Sequence, residues 1–148
     1  MAERSYALRP GEKTAGYGEA VKASAMATGG AMTLIRSDTT GGAPWHVHTR
    51  EDEFFYVVSG RIRVWHGTRV TDLDTDGFVF LPRGEPHAWD VLSAEARVLL
   101  MTVPAMLETF LDEFHAATNE EERYVVAARY GVSFLPEDFD PASWTYPD

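Results

Sequence analysis

Five histidines and no cysteine stand in the chain, so imidazole and carboxylate groups are the material for any metal site or general base. Two of the histidines, His46 and His48, are separated only by Val47. Alternate side chains of an extended segment point to the same face, which lets both imidazoles converge on one point. Glu53 follows at an odd offset that would reverse its face on an unbroken strand. Its carboxylate joins the imidazoles only if the chain turns or bulges around Thr49–Asp52, where Arg50-Glu51-Asp52 is polar enough to host the break. Once Glu53 points inward, Phe55 and Val57 share its face, while Phe54, Tyr56 and Val58 lie on the other. Both sets are apolar, which predicts a strand covered on both sides. His87 arrives separately, after Pro82-Arg83-Gly84-Glu85-Pro86, a rigid bend able to aim one side chain back toward the same point. Three neutral imidazoles and one carboxylate suit Fe, Mn, Ni, Co, Cu or Zn and are poor ligands for Mg or Ca. The competing reading is that these are ordinary polar residues on a strand and its loops.

The elements that must position these groups are short. Up to about residue 103, strand-like runs alternate with turn residues, the pattern of an all-β sandwich or barrel. Candidate strands are Val21–Ala27, Ala31–Arg36, Glu53–Ser59, Arg61–Trp65, Gly77–Leu81 and Ala96–Val103. Thr28-Gly29-Gly30, Gly41-Gly42-Ala43-Pro44 and Ser59-Gly60 separate them with turn chemistry. The Ser59-Gly60 corner is short enough to predict a hairpin between EFFYVV and RIRVW. The pattern changes at Pro104. Met106, Leu107, Phe110, Leu111 and Phe114 recur at helical spacing, with Pro104 suited to the first turn. A second helix is expected from Thr118 or Asn119, with Glu121 or Glu122 completing a capping box and Gly131 as the stop. The tail from Val132 to Asp148 reads as irregular. Residues 1–103 thus form a barrel, and 104–148 a helical extension packed on it within the same domain.

Bulk properties narrow the function. The length of 148 residues suits one hydrophobic core. The net charge of -10 repels phosphate backbones and anionic lipids, so neither nucleic acid nor a membrane is an expected partner. The N-terminal MAERSYALRPGEK has no apolar core and is not read as a signal peptide. No run approaches the roughly 20 apolar residues of a spanning helix. A cytoplasmic protein is expected.

At this point the sequence resembles the cupins. Their first motif, G-x5-H-x-H-x(3,4)-E-x6-G, is met here by Gly41-x4-His46-x-His48-x4-Glu53-x6-Gly60. Their second, G-x5-P-x-G-x2-H-x3-N, is met by Gly77-x4-Pro82-x-Gly84-x2-His87-x3-Val91. All four metal-ligand positions carry matching residue types, whereas both leading glycines sit one residue late and Val91 replaces the closing Asn. The resemblance implies a jelly-roll (double-stranded β-helix) barrel and one divalent transition metal held by His46, His48, Glu53 and His87. The segments DGFVFLPRGEPHAW, PAMLETFLDEFHAA and ARYGVSFLP resemble the small bacterial single-cupin proteins often described as quercetin-dioxygenase-like, which carry a helical tail.

From that resemblance, Glu53 is expected to be both ligand and catalytic base. The expected activity is a dioxygenase or oxygenase reaction on a small enol, phenolic, flavonol-like or polyketide-like compound, with O2 as co-substrate. Two alternatives stay open: an O2-independent isomerase, cyclase or decarboxylase, and a non-catalytic cupin that binds a small molecule. A homodimer is the expected assembly, through a barrel edge or the helical tail. Phe55, Val57, Trp89 and Met101 are candidates to line the substrate pocket, against ordinary core packing. Trp45 and Trp65 share that ambiguity. His66 and His115 are expected to face solvent, and Arg36, Tyr17 and Lys22 are within conceivable reach of a substrate anion.

Overall fold

Alternation of apolar and polar residues between glycine- and proline-rich turns produces short strands with one buried face. In the computed structural model, which describes residues 5–14 and 20–148, these strands form two antiparallel five-stranded sheets. The strands are β1 (Ala20–Ala23), β2 (Thr33–Thr39), β3 (Ala43–His48), β4 (Asp52–Ser59), β5 (Ile62–His66), β6 (Arg69–Leu73), β7 (Phe78–Leu81), β8 (His87–Val91), β9 (Ala96–Val103) and β10 (Val132–Phe134). The first sheet has the order β1-β2-β9-β4-β7 and the second β10-β3-β8-β5-β6. This two-sheet arrangement is consistent with the jelly roll that the resemblance implies. Val21, Ile35, Phe55, Val57, Val79, Leu81, Val98 and Leu100 of the first sheet pack against Ile62, Val64 and Trp89 of the second. Burying these side chains is the main favourable term for the fold.

Several expectations change. β4 and β5 do not form a hairpin: β4 pairs with β7 and β9, whereas β5 pairs with β6 and β8. The Ser59-Gly60 corner carries the chain from one sheet to the other. Gly60 has φ 84°, and a Cβ there would lie 2.5 Å from the Glu95 carbonyl oxygen, so the crossing requires glycine. The expected strand Val21–Ala27 stops at Ala23. Ser24 then caps a single helical turn, α1 (Ala25–Thr28), by accepting the Ala27 amide at 3.1 Å. The outer face of β4 is not covered either. Val58 is exposed, and on neighbouring β7 so are Phe78 and Phe80.

The helices are α2 (Leu107–Ala116) and α3 (Glu120–Arg129). Pro104 precedes α2 instead of opening it, and Met106 is its N-cap. Asn119 caps α3 by accepting the Glu122 amide at 2.9 Å, while the Glu122 carboxylate reaches back to the Thr118 amide at 2.7 Å. Gly131, at φ 69°, terminates it. Leu107, Phe110, Val126 and Ala127 join the inter-sheet core, so the helices share the barrel's interior packing. The tail is more ordered than its prolines suggest. β10 adds to the β3 edge, and a 3-10 turn follows at Pro141–Ser143. Tyr17 lies outside the described residues. Among those described, no helix is long and apolar enough to cross a membrane.

Candidate metal centre

β3 ends at His48, the chain bends through Thr49–Glu51, and β4 starts at Asp52. That break turns Glu53 to the same interior as His46 and His48. The bend is pinned where Thr49 donates its amide to the Gly131 carbonyl at 2.9 Å. On β8, His87 lies directly across from His46 in the ladder. Four side chains from three strands therefore converge. All four are buried, His87 at 1% exposure and His46, the most open, at 7%.

One potential ligand atom from each residue lies within 4.8 Å of the others. Glu53 Oε2 is 2.9 Å from both His48 Nε2 and His87 Nε2, and 3.9 Å from His46 Nε2. The His46 and His87 rings meet edge-on with centroids 4.3 Å apart. His46 donates its Nδ1–H to the Pro44 carbonyl at 2.7 Å, which leaves the Nε2 lone pair facing the cluster. The His87 Nδ1 sits 3.4 Å from the Glu85 carbonyl in a looser version of the same arrangement.

His48 gives the test of fit for a metal. Neither of its ring nitrogens has an aligned hydrogen-bond partner, although both are buried. An orphaned imidazole nitrogen costs free energy unless something binds it. A cation among three Nε2 atoms and a carboxylate would satisfy it, at bond lengths of about 2.0–2.2 Å. His46, His48, Glu53 and His87 could thus hold a metal ion. On the far side of His48, the buried carboxylate of Glu51 places Oε2 3.7 Å from Nδ1. Glu51 is the buried neighbour of the cluster that sequence reasoning missed, having read Arg50-Glu51-Asp52 only as polar enough to host the break. The available signal was its position three residues after His48, within reach around a tight bend.

The electrostatics follow from crowding one carboxylate among imidazoles. Burial disfavours the charge on His48, but Glu53 and Glu51 outweigh it and raise the group to about 9. Burial and the neighbouring His46 lower His87 to about 4, against the opposing pull of Glu53. Burial would raise Glu53, yet the nearby His48, with His46 and His87 also packed around its oxygens, holds it well below the usual carboxylate range. Without a metal, the cluster is a carboxylate beside an imidazolium; a divalent cation would replace the proton.

The residues considered as pocket lining separate. Trp89 borders a groove of about 1060 Å³, also lined by Trp45, Trp65, Phe114, Tyr124 and Phe134. None of the four clustered residues lines this groove. Phe134, at 6.1 Å between ring centroids from His46, stands beside the cluster. Phe55 and Val57 are fully buried core residues, with the Phe55 ring 5.3 Å from Trp89. Met101 is not brought to the site. It alternates with buried Leu100 and Thr102 on β9 and so faces outward. His66 is not solvent-facing: it is buried across from His87 in the ladder, with Nε2 2.9 Å from Thr71 Oγ1.

Comparison with known proteins agrees with this architecture. Residues 34–104 match the family model described as "Cupin domain". Among curated proteins none matches. A double-stranded β-helix protein from Klebsiella pneumoniae superimposes with a TM-score of 0.50 at 16% identity, over 68% of this chain and 79% of that one. KdgF from Halomonas sp. gives 0.48 at 20% identity, over 52% and 72%. The nucleoside dehydratase Pac13 gives 0.47 at 17% identity, over 52% and 62%. At these identities the likeness is one of fold, and fold does not carry function.

Proposed function

We propose that this protein is a metal-dependent cupin enzyme acting on a small molecule with an acidic hydroxyl, and that its reaction is an oxygenation of an enol, phenolic, flavonol-like or polyketide-like compound. The observation that carries this reading is the buried convergence of His46, His48, Glu53 and His87, with a partnerless nitrogen on His48. The bound divalent ion would supply Lewis-acid polarisation of a substrate oxygen and a site for O2.

The chain's own residues do the rest. Glu53 is held as a carboxylate at neutral pH by its imidazole neighbours, so it is in the form that accepts a proton. Its Oε2 is the atom to which a substrate hydroxyl proton passes. In the metal-free chain His48 Nε2 and His87 Nε2 each lie 2.9 Å from that oxygen. Of the four pocket candidates only Trp89 borders the groove of about 1060 Å³, which the four clustered residues do not line.

The test loads the protein with each of Fe, Mn, Ni, Co, Cu and Zn and assays enols and phenols with and without O2. Turnover that requires both metal and O2 supports the reading. Equal turnover under strict anaerobiosis contradicts the oxygenase assignment, and binding without turnover contradicts enzymatic function.

A further inference from the structure

The four clustered side chains are shut off from solvent, with His46 the most open at 7%. A hydrated ion reaches them only when some covering group moves. The covering is thinnest at His46, and the neighbour there is Phe134. β10 forms the end of its sheet and sets Phe134 directly across from His46. The Leu135 amide donates to the Trp45 carbonyl at 3.0 Å, and the Thr49 amide to the Gly131 carbonyl at 2.9 Å. The pair of Phe134 and His46 therefore falls between hydrogen-bonded pairs, where opposing side chains share a face and approach most closely. Among the described residues, Phe134 carries the one ring outside the cluster in contact with that of His46. It also lines the groove of about 1060 Å³ with Trp45, Trp89 and Tyr124. One ring thus belongs to both spaces.

We propose that Phe134 is the gate between this groove and the metal centre, its ring turning aside to admit a metal ion or a small ligand. The inference rests on the reading that the cluster holds a metal. The backbone on either side of Phe134 is pinned. Thr49 holds Gly131 at one end, and the Trp144 indole donates to the Gly84 carbonyl at 3.0 Å at the other. The ring is held less firmly. Its contacts outside the cluster are with Phe114 at 5.7 Å and Tyr124 at 6.2 Å between centroids, and Tyr124 is half-exposed. Ring contacts of this kind are weak enough singly to open thermally. A ring that swings toward the groove enters space that is already open. The other neighbours of His46 are poorer gates: His48 and His87 are ligands themselves, and the Pro44 carbonyl holds the His46 Nδ1.

Exchange kinetics test the gate, with Co(II) as the probe. Uptake is followed by stopped-flow absorbance, and release by trapping the ion with excess EDTA. Phe134→Ala is expected to speed both by about tenfold or more. Opening lies on the path in both directions, so the equilibrium affinity should change by less than about threefold. Phe134→Leu keeps an apolar stopper and should stay near the wild-type rates. Tyr124→Ala, at a half-exposed position that does not threaten the fold, removes one ring that holds Phe134 and should speed exchange by a smaller factor. Phe139→Ala loosens the tail where Phe139 packs on Trp45 at 5.3 Å and should leave the rates unchanged. Wild-type rates in both Phe134→Ala and Tyr124→Ala, or equal acceleration by Phe139→Ala, would overturn the gate alone. A wild-type chain that takes up no Co(II) would overturn the metal reading and the gate with it.

Discussion

His48 Nδ1 faces Glu51 Oε2 across 3.7 Å of buried space, and neither atom has a hydrogen-bond partner. A ligating histidine is ordinarily oriented by an acceptor on its second ring nitrogen. For His46 and His87 the acceptor facing that nitrogen is a backbone carbonyl; for His48 the group facing it is the Glu51 carboxylate, beyond hydrogen-bond distance in the metal-free chain. The difference makes the His48 orientation the one that a point substitution can alter.

Replacing Glu51 with Ala is therefore expected to weaken metal binding by about 10–100-fold, measured by competition with a chromophoric chelator. Glu51→Gln keeps an acceptor oxygen and should recover much of the loss. Equal affinity in all three proteins would show that Glu51 does not orient His48.

Glu53→Gln separates ligation from proton transfer. The amide oxygen still offers a lone pair to the metal but cannot take a proton at neutral pH. Some metal should remain bound while kcat falls by at least about 100-fold. Unchanged kcat would remove Glu53 from the role of base.

The site's protonation gives a pH dependence of definite sign. With His48 raised to about 9, the metal-free site carries a proton at pH 7 that an entering cation must expel. Calorimetry in buffers of different ionisation enthalpy should record release of about one proton per metal at pH 7, and affinity should fall on acidification. For the metal-free chain, a raised histidine pKa means that the native state binds the extra proton. Its stabilising contribution is complete below about 6.5 and is lost as pH rises through about 9. Metal-free protein should lose Tm across that interval, and metal-loaded protein should not.

Much of this site could be read from the sequence, because its parts are local. His46-x-His48 needs only the two-residue period of a strand. Glu53 needs only the break that its odd offset demands, and the bend at Thr49–Glu51 supplies it. What failed depended on which strand lies beside which. The corner at Gly60 looks like a hairpin turn locally, whereas the chain changes sheets there because β4 has β9 and β7 on either side. Met101 and Phe55 are both apolar strand residues, and only the register of β9 and β4 sends one outward and the other inward. Glu51 looks solvated within Arg50-Glu51-Asp52; its burial arises from the bend folding it behind His48.

Packing at the base of the site predicts a glycine requirement. A Cβ on Gly42 would lie 1.9 Å from the Trp89 carbonyl oxygen, where the Ala43–Trp89 pair begins the β3–β8 ladder. Gly42→Ala should cost about 1–3 kcal/mol, read as a lowered Tm. By pushing β3 off β8 it should also separate His46 from His87 and weaken metal binding. Wild-type Tm and affinity in this variant would contradict the close approach.

The most direct measurement is the metal stoichiometry of the purified and reconstituted chain, by elemental mass spectrometry after gel filtration. Four buried donors around one point predict about one transition-metal ion per chain, reduced to a trace in a His46→Ala/His48→Ala double variant that keeps its fold. A wild-type chain that takes up no metal under any loading condition, or a double variant that retains the full equivalent, would contradict the assignment of His46, His48, Glu53 and His87.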